Sequence, residues 1–332
     1  MENKLSWKNF VGNDATVSRL KKSLAEKKFP HAVIFSGIEG IGKREFAKIC
    51  AAVLMCDNPS DGEPCGTCEN CVAMATGNHP DFYVVEPEDT KATRVIKIAQ
   101  IRELQRETSL RPLKSERRVV VIDGAELFNK AAANCILKTL EEPVSQTIFI
   151  LLTANRANLL MTIRSRCITV NFDKLSTAQI YEVLLSQGID AVKAKTLSVV
   201  ADGSLGRALA LEKSGGYELR NEALTLVTQL FSHELNEEII FAKGKIFEKW
   251  SRENFSEFVT YVQKILRDIF FIKSKKLYNE DLKEKFEWMR FPEKTLYQMI
   301  AEGTQAQRRV KSNANLRLLA ESYLMRLVRS LD

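Results

Sequence analysis

Long apolar runs are missing from this 332-residue chain: nothing approaches the roughly 18 uninterrupted apolar residues of a membrane span, so no membrane partner is expected. The opening MENKLSWKNF has no apolar core of the kind a leader carries, which points to a cytoplasmic protein. No Pro/Gly/Ser-rich tract interrupts the chain, and 45% hydrophobic with 27% charged residues is an ordinary globular balance, so a disordered chain is excluded. Nor does one sign of charge dominate. Forty-nine Lys and Arg against 42 Asp and Glu give +7, a lean towards an anionic partner that many cytosolic proteins share. The length exceeds what one hydrophobic core usually serves, so two or three domains are expected.

Seven cysteines are present, an odd number, and four of them crowd into C-x8-C-x2-C-x2-C at Cys56, Cys65, Cys68 and Cys71. In a reducing compartment this pattern points to metal rather than disulfides. Gly62, Pro64 and Gly66 supply turns, and four thiolates close a tetrahedral zinc site with no open position, a structural role. His79 is a spare ligand candidate or a plain loop residue. A redox C-x-x-C is the rival reading, and the fourth cysteine counts against it. Cys50, Cys135 and Cys167 lie in apolar surroundings and read as packed small residues.

Strand-like runs at residues 32–36, 81–85, 118–123, 147–154 and 168–172 alternate with helical patterns near 43–54, 95–109 and 129–141. That alternation predicts an α/β fold with a mostly parallel sheet covered on both faces. Beyond Asp173 only amphipathic helical patterns remain. We expect a first domain over 1–172 with the cysteine module at 56–71 inserted, an all-α unit over 173–212 closing on ADGSLGRALAL, and an all-α domain over 213–332. Stripes such as Phe255, Phe258, Val262, Ile265, Leu266 and Ile269 read as internal core, or as a surplus face for oligomerisation.

Gly37-Ile38-Glu39-Gly40-Ile41-Gly42-Lys43 matches a phosphate loop, between a strand and a helix as that motif requires. Gly37, Gly40, Gly42 and Lys43 are the candidate phosphate binders; a glycine turn without ligand is the bland alternative. A hydrolysing loop places Ser or Thr next to hold magnesium, whereas Arg44 offers no oxygen. Asp123 ends an apolar strand as the second acidic element, or as a turn former. In ATPases of the AAA+ type a glutamate follows that Asp to polarise water, and here Gly124 stands there. Glu126 lies one turn too far on for an easy substitute.

HAVIFSGIEGIGK, the four-cysteine insert after it, IKIAQIRELQ, VVVIDGAELFNKAAANCILKTLEEP and TIRSRC together resemble the clamp-loader subunits of bacterial DNA polymerase III, densely over residues 6–172. The GSLGRAL segment extends the likeness. The resemblance implies an AAA+ domain, a helical lid, and a C-terminal collar joining subunits into a hetero-pentamer that loads a sliding clamp on primer-template DNA. The anomalies resemble the delta-prime branch more than the tau/gamma motors, which keep the Ser/Thr and the Asp-Glu pair. In motors an arginine follows Gly-Ser-x; here Gly206 takes that place and Arg207 is displaced by one. The resemblance further implies that Arg166 of Ser165-Arg166-Cys167 reaches ATP held by a neighbouring subunit, the partners being tau/gamma and delta. ATP or ADP is then bound without turnover, and the chain alone is not a competent ATPase. Thr153 and Asn155 fall in the sensor-one region or are structural polar residues.

Residues 91–118 carry nine Lys or Arg against three Glu, and the family turns this stretch towards DNA. Lys97 and Arg102 are phosphate-contact candidates, with a solvated face as the alternative. Two other functions compete with the non-hydrolysing subunit: a tau/gamma-like motor that tolerates Arg44 and recruits Glu126, and a stand-alone zinc-dependent nucleic-acid binding protein. The second leaves the phosphate loop and SRC motif unexplained.

Overall fold

The computed structural model describes residues 5–89, 94–141, 146–272, 277–279, 282–286, 289, 291–310 and 315–331. Lys91–Thr93 of the basic stretch, and Glu142 and Pro143 of the TLEEP run, lie outside the described residues. The chain divides into two compact units, Met1–Ile180 with Gly203–Arg207, and Tyr181–Asp202 with Ala208–Asp332.

The apolar runs of the first unit fold as strands β1 (Ala32–Ser36), β2 (Phe82–Val85), β3 (Glu88–Asp89), β4 (Arg94–Val95), β5 (Arg118–Ile122), β6 (Thr147–Thr153) and β7 (Ile168–Asn171). Five form one sheet in the order β2-β5-β6-β1-β7, every pairing parallel. Ile34 lies opposite Leu151 on one side and Thr169 on the other, and Val120 pairs Tyr83 and Phe149. Every residue of β5 and β6 is buried, as strands covered on both faces must be. β3 and β4 make a separate antiparallel pair.

The helices are α1 (Asp14–Ala25), α2 (Lys43–Met55), α3 (Glu69–Thr76), α4 (Ile98–Ser109), α5 (Lys130–Glu141) and the single turn α6 (Met161–Arg164). On one face of the sheet Ile101 and Leu104 of α4 and Ile136 and Leu140 of α5 pack on Ile34, Ile122 and Leu151. On the other, Phe46 of α2 is the hub of an aromatic cluster, with Trp7, Phe172, Phe10 and Phe35 at centroid distances of 4.7, 4.9, 5.0 and 5.4 Å. Such tilted and edge-on contacts suit ring quadrupoles.

One member of the basic stretch is no surface cation. Arg118 is 1% exposed, donating to the carbonyls of Glu107 (2.8 Å) and Leu110 (2.9 Å) at the C-terminal end of α4 and lying 3.7 Å from fully buried Asp81. Asp81 in turn accepts from the backbone N–H groups of Leu113, Lys114 and Ser115 at 2.7–2.9 Å. The pair fixes the basic loop between α4 and β5 from below.

The second unit has helices and no strand among its described residues. α7 (Thr177–Ser186) leads into it, followed by α8 (Ala191–Val200), α9 (Leu205–Lys213), α10 (Gly216–Phe231), α11 (Glu237–Phe247), α12 (Arg252–Phe270), α13 (Lys283–Phe286), α14 (Glu293–Val310) and α15 (Leu316–Arg329). α12 packs on α10 and α14, α15 on α11 and α14. The Phe255-to-Ile269 stripe is wholly buried, so it serves as core. No helix among the described residues is long and apolar enough to cross a membrane.

Candidate functional site

Four parallel strands deliver their carboxyl ends to one edge of the sheet, where open α/β folds build binding crevices. β1 runs into the phosphate loop, β2 into Glu86, β5 into Asp123 and β6 into Ala154. The loop is tied to the edge by the Gly37 N–H donating to Thr153 O (3.2 Å), and Asp123 by its own N–H donating to Val85 O (2.9 Å). Together they line a cavity of ≈ 550 Å³, the size of a nucleotide-scale pocket.

Gly40 (φ +74°) and Gly42 (φ +97°) take left-handed conformations, and Gly42 caps the N-terminus of α2. Lys43 is 8% exposed and folds back on its own loop, donating to the carbonyls of Gly37 (2.6 Å) and Ile38 (2.8 Å). Burial pulls its pKa down, against the opposing pull of Glu126, Asp123 and Glu39.

Arg44 reaches across the cavity. Its Nη1 is ion-paired with Glu86 and lies 3.6 Å from Asp123 Oδ2. Burial raises the Asp123 pKa, and Arg44 acts in the opposite direction. A guanidinium therefore sits where a magnesium ion would need Asp123, and these residues do not fit that metal. Glu86 was missed in the sequence; its place directly after β2, on the same edge as Asp123, is the signal that marks it. Glu126, the possible substitute base, accepts a hydrogen bond from the Ala154 N–H at 2.8 Å, while its Oε2 is buried without a partner. Thr153 Oγ1 accepts from Asn155 N (3.1 Å) and Asn155 Oδ1 from Ala157 N (3.0 Å), so both sensor-region side chains are occupied in shaping their own turn.

The Gly203–Arg207 segment closes the far side of the loop. Ser204 Oγ donates to Glu39 O (2.7 Å) and Gly206 N to Gly40 O (2.7 Å). A Cβ at Gly206 would stand 2.8 Å from Gly40 Cα and 2.9 Å from its carbonyl oxygen. Arg207 is exposed, its N–H donating to Ser204 Oγ at 3.1 Å.

Cys56 caps the C-terminus of α2, and Cys65, Cys68 and Cys71 fold around it so that all four sulfurs lie within 4.8 Å of one another. Two S···S distances are 3.9 Å, against roughly 3.8 Å for the edge of a tetrahedron with 2.3 Å metal–sulfur bonds. Backbone N–H groups of Cys65, Cys68 and Cys71 point at the preceding cysteine sulfurs at 3.3–3.4 Å, a setting that suits thiolates. Burial opposes ionisation of Cys65, yet hydrogen bonds from Thr67 and Cys68 bring its thiol down to about 6. The cluster fits a metal ion. His79 stands apart: its Nδ1 accepts from Asp81 N (3.1 Å), which leaves Nε2 to donate to Asn70 Oδ1 (3.0 Å). Cys50 and Cys167 are buried and Cys135 half-buried.

Arg166 lies just past α6 with its side chain 33% exposed. Its Nε donates to Glu141 Oε1 (2.6 Å), Nη2 pairs with the same oxygen, and Nη1 donates to Thr162 O (2.8 Å). Leu160, Met161 and Ile168 around it are exposed apolar residues. On the basic stretch, Lys97 is paired with Glu88 at 2.7 Å, and Arg102 is exposed on α4.

A family model described as DNA polymerase III, delta subunit, matches residues 12–176. The chain is 28% identical to DNA polymerase III subunit delta' of Bacillus subtilis, over 97% of its own length and 98% of the relative's. It is 33% identical to the delta' subunit of Pseudomonas aeruginosa, over 67% and 66% of the two chains. The DNA polymerase III subunit tau of Bacillus subtilis is 30% identical over 68% of this chain but 38% of its own.

Proposed function

The chain belongs to the DNA polymerase III clamp-loader family, beside its delta' subunits, and from that premise we propose that it lends an arginine to a neighbour's ATP instead of turning over its own. Its role lies within the clamp loader. The carrying observation is that Arg44, ion-paired with Glu86 and close to Asp123, holds the place of the catalytic metal. Gly124 in place of a catalytic glutamate and the tethering of Glu126 to Ala154 support the same reading. Arg166 is the group left to act: a planar, permanently charged fork on an exposed turn, able to exchange Glu141 for a phosphoryl oxygen.

In this reading residues 173–212 are the lid and 213–332 the collar that joins tau/gamma and delta subunits in a cytoplasmic hetero-pentamer. That assembly loads the sliding clamp on primer-template DNA, with Lys97 and Arg102 among the phosphate contacts; Lys97 must first leave Glu88. The phosphate loop keeps ATP or ADP without turnover, and the cysteine cluster holds one structural Zn2+, which four thiolates at near-tetrahedral spacing favour. The test is ATP turnover by the purified chain, alone and reconstituted with a motor subunit and the remaining partners. Negligible turnover alone, and a large loss in the complex with Arg166→Ala, are expected. Robust turnover alone, abolished by Lys43→Ala, would sink the proposal.

A further inference from the structure

A phosphate loop ordinarily shares its nucleotide with magnesium, held by a hydroxyl after the lysine and by the acid ending the neighbouring strand. Neither requirement is met here. Position 44 carries no oxygen donor, and Asp123 already lies 3.6 Å from the Arg44 guanidinium, which is also paired with Glu86. A divalent ion entering this corner would meet a permanent positive charge and compete with it for both carboxylates.

What the loop needs to hold an anion is nevertheless intact. Gly40 and Gly42 keep left-handed turns, Lys43 stands at the N-terminus of α2 with its ammonium on the Gly37 and Ile38 carbonyls, from which a phosphate would take it, and the cavity is of nucleotide size. Among the described residues Arg44 uses Nη1 alone, so the donors on Nε and Nη2 are left for phosphate oxygens. Arg44 also offsets Glu86 and Asp123, which would otherwise face a phosphate unscreened. We propose that this site binds ADP or ATP as the metal-free anion, with Arg44 covalently built in where other phosphate loops recruit Mg2+. The proposal rests on the reading that the loop retains a nucleotide.

Binding of fluorescently labelled ADP and ATP to the full chain, after exhaustive dialysis into Mg2+-free buffer without chelator and in excess Mg2+, tests it. The wild type is expected to give Kd values within about twofold of each other in the two conditions. Arg44→Ser, which removes the internal cation and supplies a hydroxyl, should bind about tenfold more weakly without Mg2+ and recover in Mg2+. Arg44→Lys keeps the charge and should fall between; thermal melts of both variants control for folding. Wild-type binding that needs Mg2+, or an Arg44→Ser variant unaffected by the absence of Mg2+, overturns the proposal while leaving nucleotide retention standing. No wild-type binding in either condition overturns nucleotide retention as well. The role of Arg166 is read separately, by turnover in the complex.

Discussion

Arg44 and Arg166 both end on a glutamate, but with different company. Arg44 faces two carboxylates, Glu86 and Asp123, inside a cavity whose walls come from four strand ends. Arg166 has a single carboxylate and a helical carbonyl on a surface turn. Both ion pairs are part-exposed, the Arg44 side chain at 42% and that of Arg166 at 33%, so each contributes only about 0–1 kcal/mol and exposure does not separate them. Moving Arg44 would leave two acids side by side in a partly desolvated corner, with Asp123 already disfavoured as an anion by burial. The two arginines differ in how many carboxylates each satisfies, two for Arg44 and one for Arg166, and the proposed transfer of Arg166 to a phosphoryl group rests on that difference.

Four measurements break or sharpen this contrast. The largest expected effect is from Arg166→Ala: ATP turnover of the reconstituted complex should fall by roughly 10³-fold, while the denaturant midpoint of the isolated chain barely moves. A drop of less than about tenfold would place the transferable arginine elsewhere. Second is stripping the metal from the cysteine cluster with a strong chelator under reducing conditions, which should lower the stability of the first unit by several kcal/mol, about the scale of structural thiolate sites. Zinc content of about one per chain before treatment accompanies this, and an unchanged thermal melt counts against a structural metal.

Third, Gly40→Ala should cost about 1–3 kcal/mol in urea unfolding, because it combines a left-handed φ of +74° with a Cβ 2.5 Å from Ser204 Oγ. A neutral result would mean that the loop relaxes freely and that Arg44 is less fixed than its partners suggest. Smallest is Lys43→Ala, which should change turnover of the whole complex by less than about twofold, since in the proposed reading the lysine serves a site outside the reaction. A loss comparable to that of Arg166→Ala would erase the contrast altogether.

The strands were legible because β5 and β6 carry unbroken apolar runs, and the phosphate loop and cysteines because their spacings are local. The pairings that decide the chemistry were not. Arg44 meets Glu86 across 42 residues, and Arg166 meets Glu141 across 25. Period-based reading says where a charged residue is exposed, never which opposite charge the sheet edge brings beside it. Arg118 makes the same point from the other direction. Within a run of nine cations it reads as one more solvated charge, yet it is buried because Asp81 and the last carbonyls of α4 were waiting for it. Lys97 looked free for the same reason that Arg118 looked exposed: Glu88 lies on a neighbouring hairpin with no periodic tie to it.

The contact between Gly206 and Gly40 bears on ancestry. The resemblance to motor subunits places an arginine at 206, but here its Cβ would have to occupy space 2.8 Å from the phosphate loop's own backbone. Once two glycines have closed on each other, restoring the arginine damages the loop before it can help it. Gly206→Arg alone would therefore pass through a less stable loop, so the proposed absence of turnover would be held by packing as well as by the missing catalytic groups.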